Sequence, residues 1–475
     1  MEHRKPSMRA PRSDGVVSRA RLLGRALSVV ALLACQPVPA VRAQDLFGPD
    51  VLFDPLTRVP NALVGKKAPE LRGDSGWLNS EPLRLADLAG RVVLIDFFDY
   101  SCINCIRTFP YLREWHRRYG GLGLTVIGVH TPEFAFGRDE KNVARALAAH
   151  GITYPVAMDA NQLIWNEYHN RYWPREFLID IHGVVRLDHR GEGGYAETEK
   201  KIQELLRVRD PGVTLPPLMS AVREGDRVGA VCFPTTGETY VGHLRGMLAN
   251  PEGYKPNGVV VYQDPGGALD GRIYAQGAWE SRGQYLRLAH AGAAGEDYLR
   301  LPYHALELNV VLESIDGPPI EVVVWQDGKP LHREDAGEDV TFDEQGRSVV
   351  RVTEPRMYRI VRNRKFARRQ ILLSSATPTL GVYVFTFGSC VDPSGGHGKG
   401  KRPARAPDRP SPTQIGGGSS VRRADNQAGP LTERSPTEAA PPTDPQEPSG
   451  GEPPAAAAAG ARDSAACNTG RVAVT

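Results

Sequence analysis

Val92-Val-Leu-Ile-Asp96-Phe-Phe-Asp-Tyr100-Ser-Cys102-Ile-Asn-Cys105-Ile-Arg-Thr-Phe-Pro110 is the stretch that decides how this chain folds. Val92 to Ile95 is an uninterrupted apolar run of the kind found in a buried central strand, and Ile106 to Tyr119 has helical composition. The two cysteines lie in the short loop between them. That order puts Cys102 at a helix N-terminus, where unpaired amides and the positive end of the helix dipole favour a thiolate. Cys102 is therefore the expected attacking sulfur, and Cys105, one helical turn later, the resolving one.

Two simpler readings of the pair are weaker. A structural zinc site needs about four ligands, generally with a second close pair of Cys or His. The other cysteines, Cys35, Cys232, Cys390 and Cys467, are scattered singly, and the histidines are dispersed, so no metal is expected. A purely structural Cys102-Cys105 bond would close a very short loop and remove little unfolded-state entropy. A thiol-disulfide exchange centre is the better account of a Cys-x-x-Cys between a strand and a helix.

Downstream, the pattern alternates. Leu124 to His130 reads as a strand, Glu140 to Ala149 as a helix, Tyr154 to Met158 as a strand and Gln162 to His169 as a helix. Trp173-Pro174 precedes a further strand, Glu176-Phe-Leu-Ile-Asp180. Ile179 to Leu187 reads as a hairpin turning at His182-Gly183, and Thr198 to Val208 as a closing helix.

From Val64 to Asp210 the chain resembles thioredoxin-fold proteins of the extracytoplasmic TlpA/ResA type, and most of all the thioredoxin-like portion of DipZ-type proteins, whose motif Tyr-Ser-Cys-Ile-Asn-Cys is matched at Tyr100 to Cys105. The resemblance implies a thioredoxin fold with a helix-strand insertion. It also assigns three positions. Asp96, six residues before Cys102, falls where thioredoxins keep a buried carboxylate. Pro110, five after Cys105, falls where their active-site helix bends. Trp173-Pro174 falls at their cis-proline.

Each position has its own physical reason. An ionisable Asp96 inside an apolar strand is costly to bury unless it has a role, such as proton transfer with Cys105. Pro110 removes a helix hydrogen bond. A cis bond before Pro174 leaves the backbone of Trp173 free to pair with an incoming peptide, and Tyr100 beside the first cysteine is a further substrate-contact candidate. The chain also departs from the family pattern. ResA-like proteins carry a functional Glu three residues past the second Cys, where this chain has Thr108. Glu133 is a conceivable substitute, with an exposed loop carboxylate as the expected alternative. Peroxiredoxins share the fold, but their proline and threonine positions are Ile95 and Asp99 here, which disfavours a thiol peroxidase.

Residues 1–43 read as a secretory signal: a basic start, the apolar Ala26 to Ala34, and Val41-Arg-Ala43 as a cleavage site. The apolar run falls short of the roughly 18 residues that span a bilayer. Leu32-Leu-Ala-Cys35 resembles a bacterial lipoprotein box, which offers a lipid anchor through Cys35, although Leu33 fits that pattern poorly. The expected location is extracytoplasmic, periplasmic or secreted.

After a linker at 44–63, the thioredoxin-like domain at 64–210 and a second linker at 211–230, residues 231–390 change character. Short strands dominate: Gly258 to Tyr262, Tyr285 to Leu288, Ala305 to Leu312, Ile320 to Trp325, Met357 to Val361 and Gly381 to Gly388, with turns at Asp316-Gly317 and Asp327-Gly328. A β-sandwich or jelly roll is expected. Cys232 and Cys390 bracket it near its first and last strands, which predicts a structural disulfide in an oxidising compartment. Glu238-Thr-Tyr-Val-Gly242 and Tyr383-Val-Phe-Thr-Phe-Gly388 resemble the C-terminal module of DipZ-type proteins, which implies a possible glycan ligand stacked on surface aromatics among Tyr262, Tyr274, Trp279 and Trp325. A scaffold that docks substrate or shields the thioredoxin face is an equal alternative. Residues 391–475 turn to Pro, Gly, Ala, Ser and charge, the composition of a disordered tail.

With 58 Lys and Arg against 55 Asp and Glu, the net charge of +3 over 475 residues argues against dedicated nucleic-acid binding. The whole reading is an exported thiol-disulfide oxidoreductase without metal or organic cofactor. It acts on disulfide-containing extracytoplasmic proteins, and its electrons come from a membrane protein of the CcdA/DsbD kind. The resemblance to TlpA-like reductants favours reduction, with cytochrome c maturation or envelope redox upkeep as its setting. Two other classes stay open: a thiol peroxidase, and a glycan-binding envelope protein with a structural Cys pair.

Overall fold

The computed structural model describes residues 63–391 apart from Ala291 and Ala294. The expected signal segment, Cys35, and the tail with Cys467 lie outside the described residues.

The first part is built from β1 (Trp77–Leu78), β2 (Val92–Phe98), α1 (Ile103–Tyr119), β3 (Leu124–His130), α2 (Glu140–His150), β4 (Val156–Met158), α3 (Leu163–Glu167), β5 (Arg175–Ile179), β6 (Val185–Arg190) and α4 (Tyr195–Arg209). They form one sheet in the order β1-β4-β3-β2-β5-β6. β2 runs parallel to β3 and antiparallel to β5. This is a thioredoxin fold with the cysteine loop at the end of its central strand.

Every residue of β2 is buried, because helices cover both faces of the sheet. Val92, Leu94 and Phe98 point to one face, under Phe109, Leu112 and Trp115 of α1 and Ile202 and Leu206 of α4. Val93, Ile95 and Phe97 point to the other, against Ile164 of α3. That alternation follows from the two-residue period of a strand, and it turns Asp96 towards the α1 and α4 side. The strand runs three residues past the apolar Val92 to Ile95, carrying Asp96 inside the core.

α2 begins where Asp139 accepts from the Lys141 amide and ends at Gly151 in the left-handed region, φ 64°. The helix expected over Gln162 to His169 is only Leu163–Glu167, since Gln162 and His169 both have positive φ, 59° and 49°.

In the second part, from Val231–Cys232 to Cys390–Val391, every pair of strands runs antiparallel. Its core gathers Trp279, Leu301, Tyr303, Leu308, Val322, Tyr358 and Phe385. Besides the strands expected, it contains Tyr274–Ser281, Tyr298–His304, Ser348–Val352 and Arg368–Ser374. Pro302 masks one of these and Gly277 another, both residues that argue against a strand interior. Cys232 and Cys390 are register partners and form a disulfide.

The two parts share packing. Val311, Ile315, Met357, Tyr383 and Val384 of the β-rich part belong to the same apolar cluster as Phe109, Phe134 and Phe136. Tyr383 meets Phe134 and Phe136 edge-on at 5.0 and 5.1 Å between ring centroids.

Candidate active site

Cys102 occupies the N-cap of α1, half-buried, with non-helical backbone angles (φ −77°, ψ 119°). Its amide donates to the Asp99 carbonyl at 3.1 Å and its own carbonyl accepts from the Ile106 amide at 3.0 Å. Its Sγ stands 3.9 Å from the carbonyl oxygen of Trp173. The Trp173-Pro174 bond is cis. The Trp173 ring is held in turn: Nε1 donates to the Thr131 carbonyl at 3.0 Å, and the ring lies 4.3 Å from that of Trp165.

Cys105 is wholly buried beneath this pair. Burial pushes its thiol well up, and the adjoining Cys102 and the charge of Asp96 push the same way. Asp96 is itself fully buried, and neither carboxyl oxygen has a hydrogen-bond partner among the described residues. Its pKa is raised well above the usual carboxylate range, first by burial and then by Glu176. A buried carboxyl without a hydrogen-bond partner and with a raised pKa has the chemistry to exchange a proton with a thiol.

Residues 63–206 match the family model described as Redoxin, and residues 236–388 match the Thioredoxin like C-terminal domain. The chain is 30% identical over 138 residues to thiol-disulfide oxidoreductase YkuV of Bacillus subtilis, covering 29% of this chain and 93% of that protein. This chain belongs to the redoxin family of thioredoxin-fold thiol-disulfide oxidoreductases. It is also 40% identical over 267 residues to protein DipZ of Mycobacterium tuberculosis, covering 55% of this chain but 37% of DipZ. The chain thus matches little more than a third of the length of that relative. Thiol-disulfide oxidoreductase ResA of Halalkalibacterium halodurans is 26% identical over 134 residues, 28% of this chain and 71% of ResA.

In this redoxin the remaining candidates fall in different places. Pro110 lies inside α1. Tyr100 is 3% exposed, stacked on His130 with its hydroxyl donating to the Pro355 carbonyl at 2.9 Å. Its ring packs on His130 and Phe136 and its hydroxyl reaches the β-rich part, so Tyr100 is a joint between the two parts and exposes little of the surface that a substrate contact would use. The expectation for Glu133 is corrected. It is not an exposed loop carboxylate, since its side chain is 11% exposed and Oε1 accepts from Tyr240 and Arg245, both at 2.8 Å. Those partners tie it to the β-rich part.

Tyr262, Tyr274 and Trp279 are all buried, so they offer no stacking platform for a glycan; of the four aromatics considered, Trp325 alone is half-buried. Apolar burial outweighs display for the large aromatics of this core.

The sequence reading missed Asp99 and Glu176. Asp99 is buried and accepts from the Ser101 amide at 2.6 Å, the Ser101 hydroxyl at 2.5 Å and the Glu133 amide at 2.8 Å, which pins the cysteine loop to the loop after β3. Burial lowers the neighbouring His130 to about 3, so it stays neutral. Glu176 is the register partner of Asp96. A second carboxyl within an apolar strand was the available signal, but nothing in the spacing says that the two meet. Among the described residues no group of three or more His, Cys, Asp or Glu is placed to hold a metal ion.

Proposed function

We propose that this chain reduces disulfides in exported proteins. The observation that carries the reading is Cys102 Sγ at 3.9 Å from the Trp173 carbonyl, ahead of a cis proline, with Cys105 buried behind it beside Asp96. Cys102 is the more accessible thiol, and as thiolate it attacks one sulfur of the substrate disulfide and releases the other as a thiolate. Cys105 then gives its proton to Asp96 and attacks Cys102 Sγ. The substrate's second thiolate leaves, and Cys102-Cys105 becomes the disulfide. Trp173 and Pro174 present the backbone edge along which the substrate strand lies.

The exported setting is supported by the Cys232-Cys390 disulfide on exposed strands, a bond that persists in oxidising compartments, and by the signal-like start of the sequence. The reducing direction is supported by the resemblance to TlpA-type reductants, whose settings include cytochrome c maturation. A membrane protein of the CcdA/DsbD kind is then the electron donor. The β-rich part holds the cysteine loop through Tyr100 and the loop after β3, as a scaffold for the redoxin part.

Equilibration with glutathione, read by differential alkylation of wild type and Cys105→Ser, measures the potential of the pair. A value below about −240 mV supports a reductant; one above about −150 mV makes the chain an oxidant and overturns the direction.

A further inference from the structure

Asp96, Glu176 and His189 stand in a row across three neighbouring strands. Asp96 on β2 pairs in register with Glu176 on β5, and Glu176 pairs with His189 on β6. Direct cross-strand partners share one face of a sheet with Cβ atoms about 5 Å apart. That face is the one under α1, where Cys105 sits.

The row is short of hydrogen bonds. Both oxygens of Asp96, Oε2 of Glu176 and Nε2 of His189 are buried without a partner among the described residues. The facing groups are few. α1 supplies Cys105, the segment before β4 supplies the Tyr154 hydroxyl, which is also buried without a partner, and α4 supplies the Thr198 hydroxyl, bonded to Glu176. Asp188 and Glu197 lie near His189. Exposure changes along the row: Asp96 and Glu176 are 0% and 1% exposed, whereas His189 is half-buried beneath the Gly193-Gly194 turn. A Cβ on Gly194 would fall 2.6 Å from the His189 ring, so that glycine leaves the ring its room.

We propose that Asp96 and Glu176 share one proton and that His189 is their outlet, so that the proton leaving Cys105 during resolution travels along this row to solvent. The inference rests on the exchange reading above and extends it with two positioning residues that do not touch the thiols. Two carboxyls side by side in a dry site do not both ionise. With the single proton proposed for the pair, one carboxylate is open to take the Cys105 proton. Burial pushes Glu176 up to about 8, and Glu176 in its charged form raises Asp96 further still, so the two carboxyls titrate together as one pair. The proton balance closes: Cys105 loses one proton, the pair gains it, and His189 passes one to water.

The test follows 5-thio-2-nitrobenzoate release when the reduced chain reacts with excess 5,5′-dithiobis(2-nitrobenzoate). The first phase is attack by Cys102 and the second is resolution by Cys105. Glu176→Gln removes the like charge beside Asp96, so the midpoint of the second phase against pH should fall by about one unit or more, giving up to about tenfold faster resolution near pH 6. General damage to the fold would slow it instead. His189→Gln should slow the second phase severalfold, with added imidazole restoring it. A Glu176→Gln profile that overlays wild type overturns the shared proton, and a His189→Gln second phase that is unchanged or deaf to imidazole overturns the outlet. A missing first phase in wild type would instead overturn the exchange reading itself.

Discussion

Arg107 donates from Nη2 to Glu307 Oε2 at 2.8 Å, joining the helix that carries both cysteines to the β-rich part of the chain. The same guanidinium reaches Glu192 at 2.9 Å and Asn104, the residue between the cysteines on the Cys105 side, at 3.5 Å. Tyr100, Phe134 and Glu133 make further joints around the same loop. The cysteine loop is thus gripped on one flank by the β-rich part, while Trp173 and Pro174 form its other flank.

Arg107→Ala should destabilise the protein by about 1–2 kcal/mol. Arg107 is 9% exposed, which points to a higher cost, but Glu307 is 41% exposed and water screens what it loses. Burial raises the Glu307 carboxyl, yet the charge and hydrogen bond of Arg107 outweigh it and leave the net pKa below the ordinary value. A lowered carboxyl contributes stability that is present above its unfolded value, about 4.3, and is lost as pH falls through its folded value. Between pH 6 and pH 3, urea denaturation should therefore show a smaller loss in Arg107→Ala than in wild type. Equal losses would mean that the pair is not coupled.

Tyr100→Phe should cost about 1 kcal/mol, the worth of one hydrogen bond, because it leaves the Pro355 carbonyl without its donor. Reduction of insulin disulfides should stay within about twofold of wild type, as the hydroxyl faces the β-rich part. A large rise in KM without loss of stability would restore Tyr100 as a substrate contact.

Much of this was legible in the chain. The run Val92 to Ile95, the Cys-x-x-Cys and the Trp173-Pro174 pair are local signals, and the fold places them on one central strand, one helix N-terminus and one cis bond. What was illegible is what depends on register or on the second part of the chain. Glu176 meets Asp96 only because β5 pairs with β2 in one alignment, and a slip of one residue would turn it to the opposite face. Tyr100 and Glu133 look like free loop residues until segments more than 100 residues away in sequence bond to them. Strand Tyr298–His304 was hidden by its own Pro302, a residue that usually marks an edge or a break.

The double variant Cys232→Ser, Cys390→Ser should lose about 2–5 kcal/mol of stability in the β-rich part. The bond closes a loop of 158 residues in sequence separation between two exposed strands, so its main effect is on the unfolded chain. Equilibrium unfolding followed by Trp fluorescence reads the loss, and a non-reduced digest should contain the bridged peptide. A digest without it, or a variant as stable as wild type, would remove the bond from the account.

Gly242→Ala should be among the most damaging small substitutions in the β-rich part. A Cβ at Gly242 would lie 2.2 Å from the Gln284 carbonyl carbon and 2.3 Å from the Tyr285 amide nitrogen, both backbone atoms that cannot swing aside. Relief requires the Gln284-Tyr285 segment to move, at a cost of about 3 kcal/mol, the upper end for overpacking. That segment also holds the joint: Gln284 Oε1 accepts from the Ala135 amide at 2.9 Å, and the Tyr285 ring lies 4.8 Å from Tyr383, which packs on Phe134. Hydrogen exchange of the 131–138 amides should therefore quicken in Gly242→Ala as well as global stability falling. Gly237→Ala is the control: no atom lies within 4 Å of its Cβ, so stability should stay within about 0.5 kcal/mol. Faster exchange confined to the β-rich part, with 131–138 unchanged, would show that the joint does not depend on that segment.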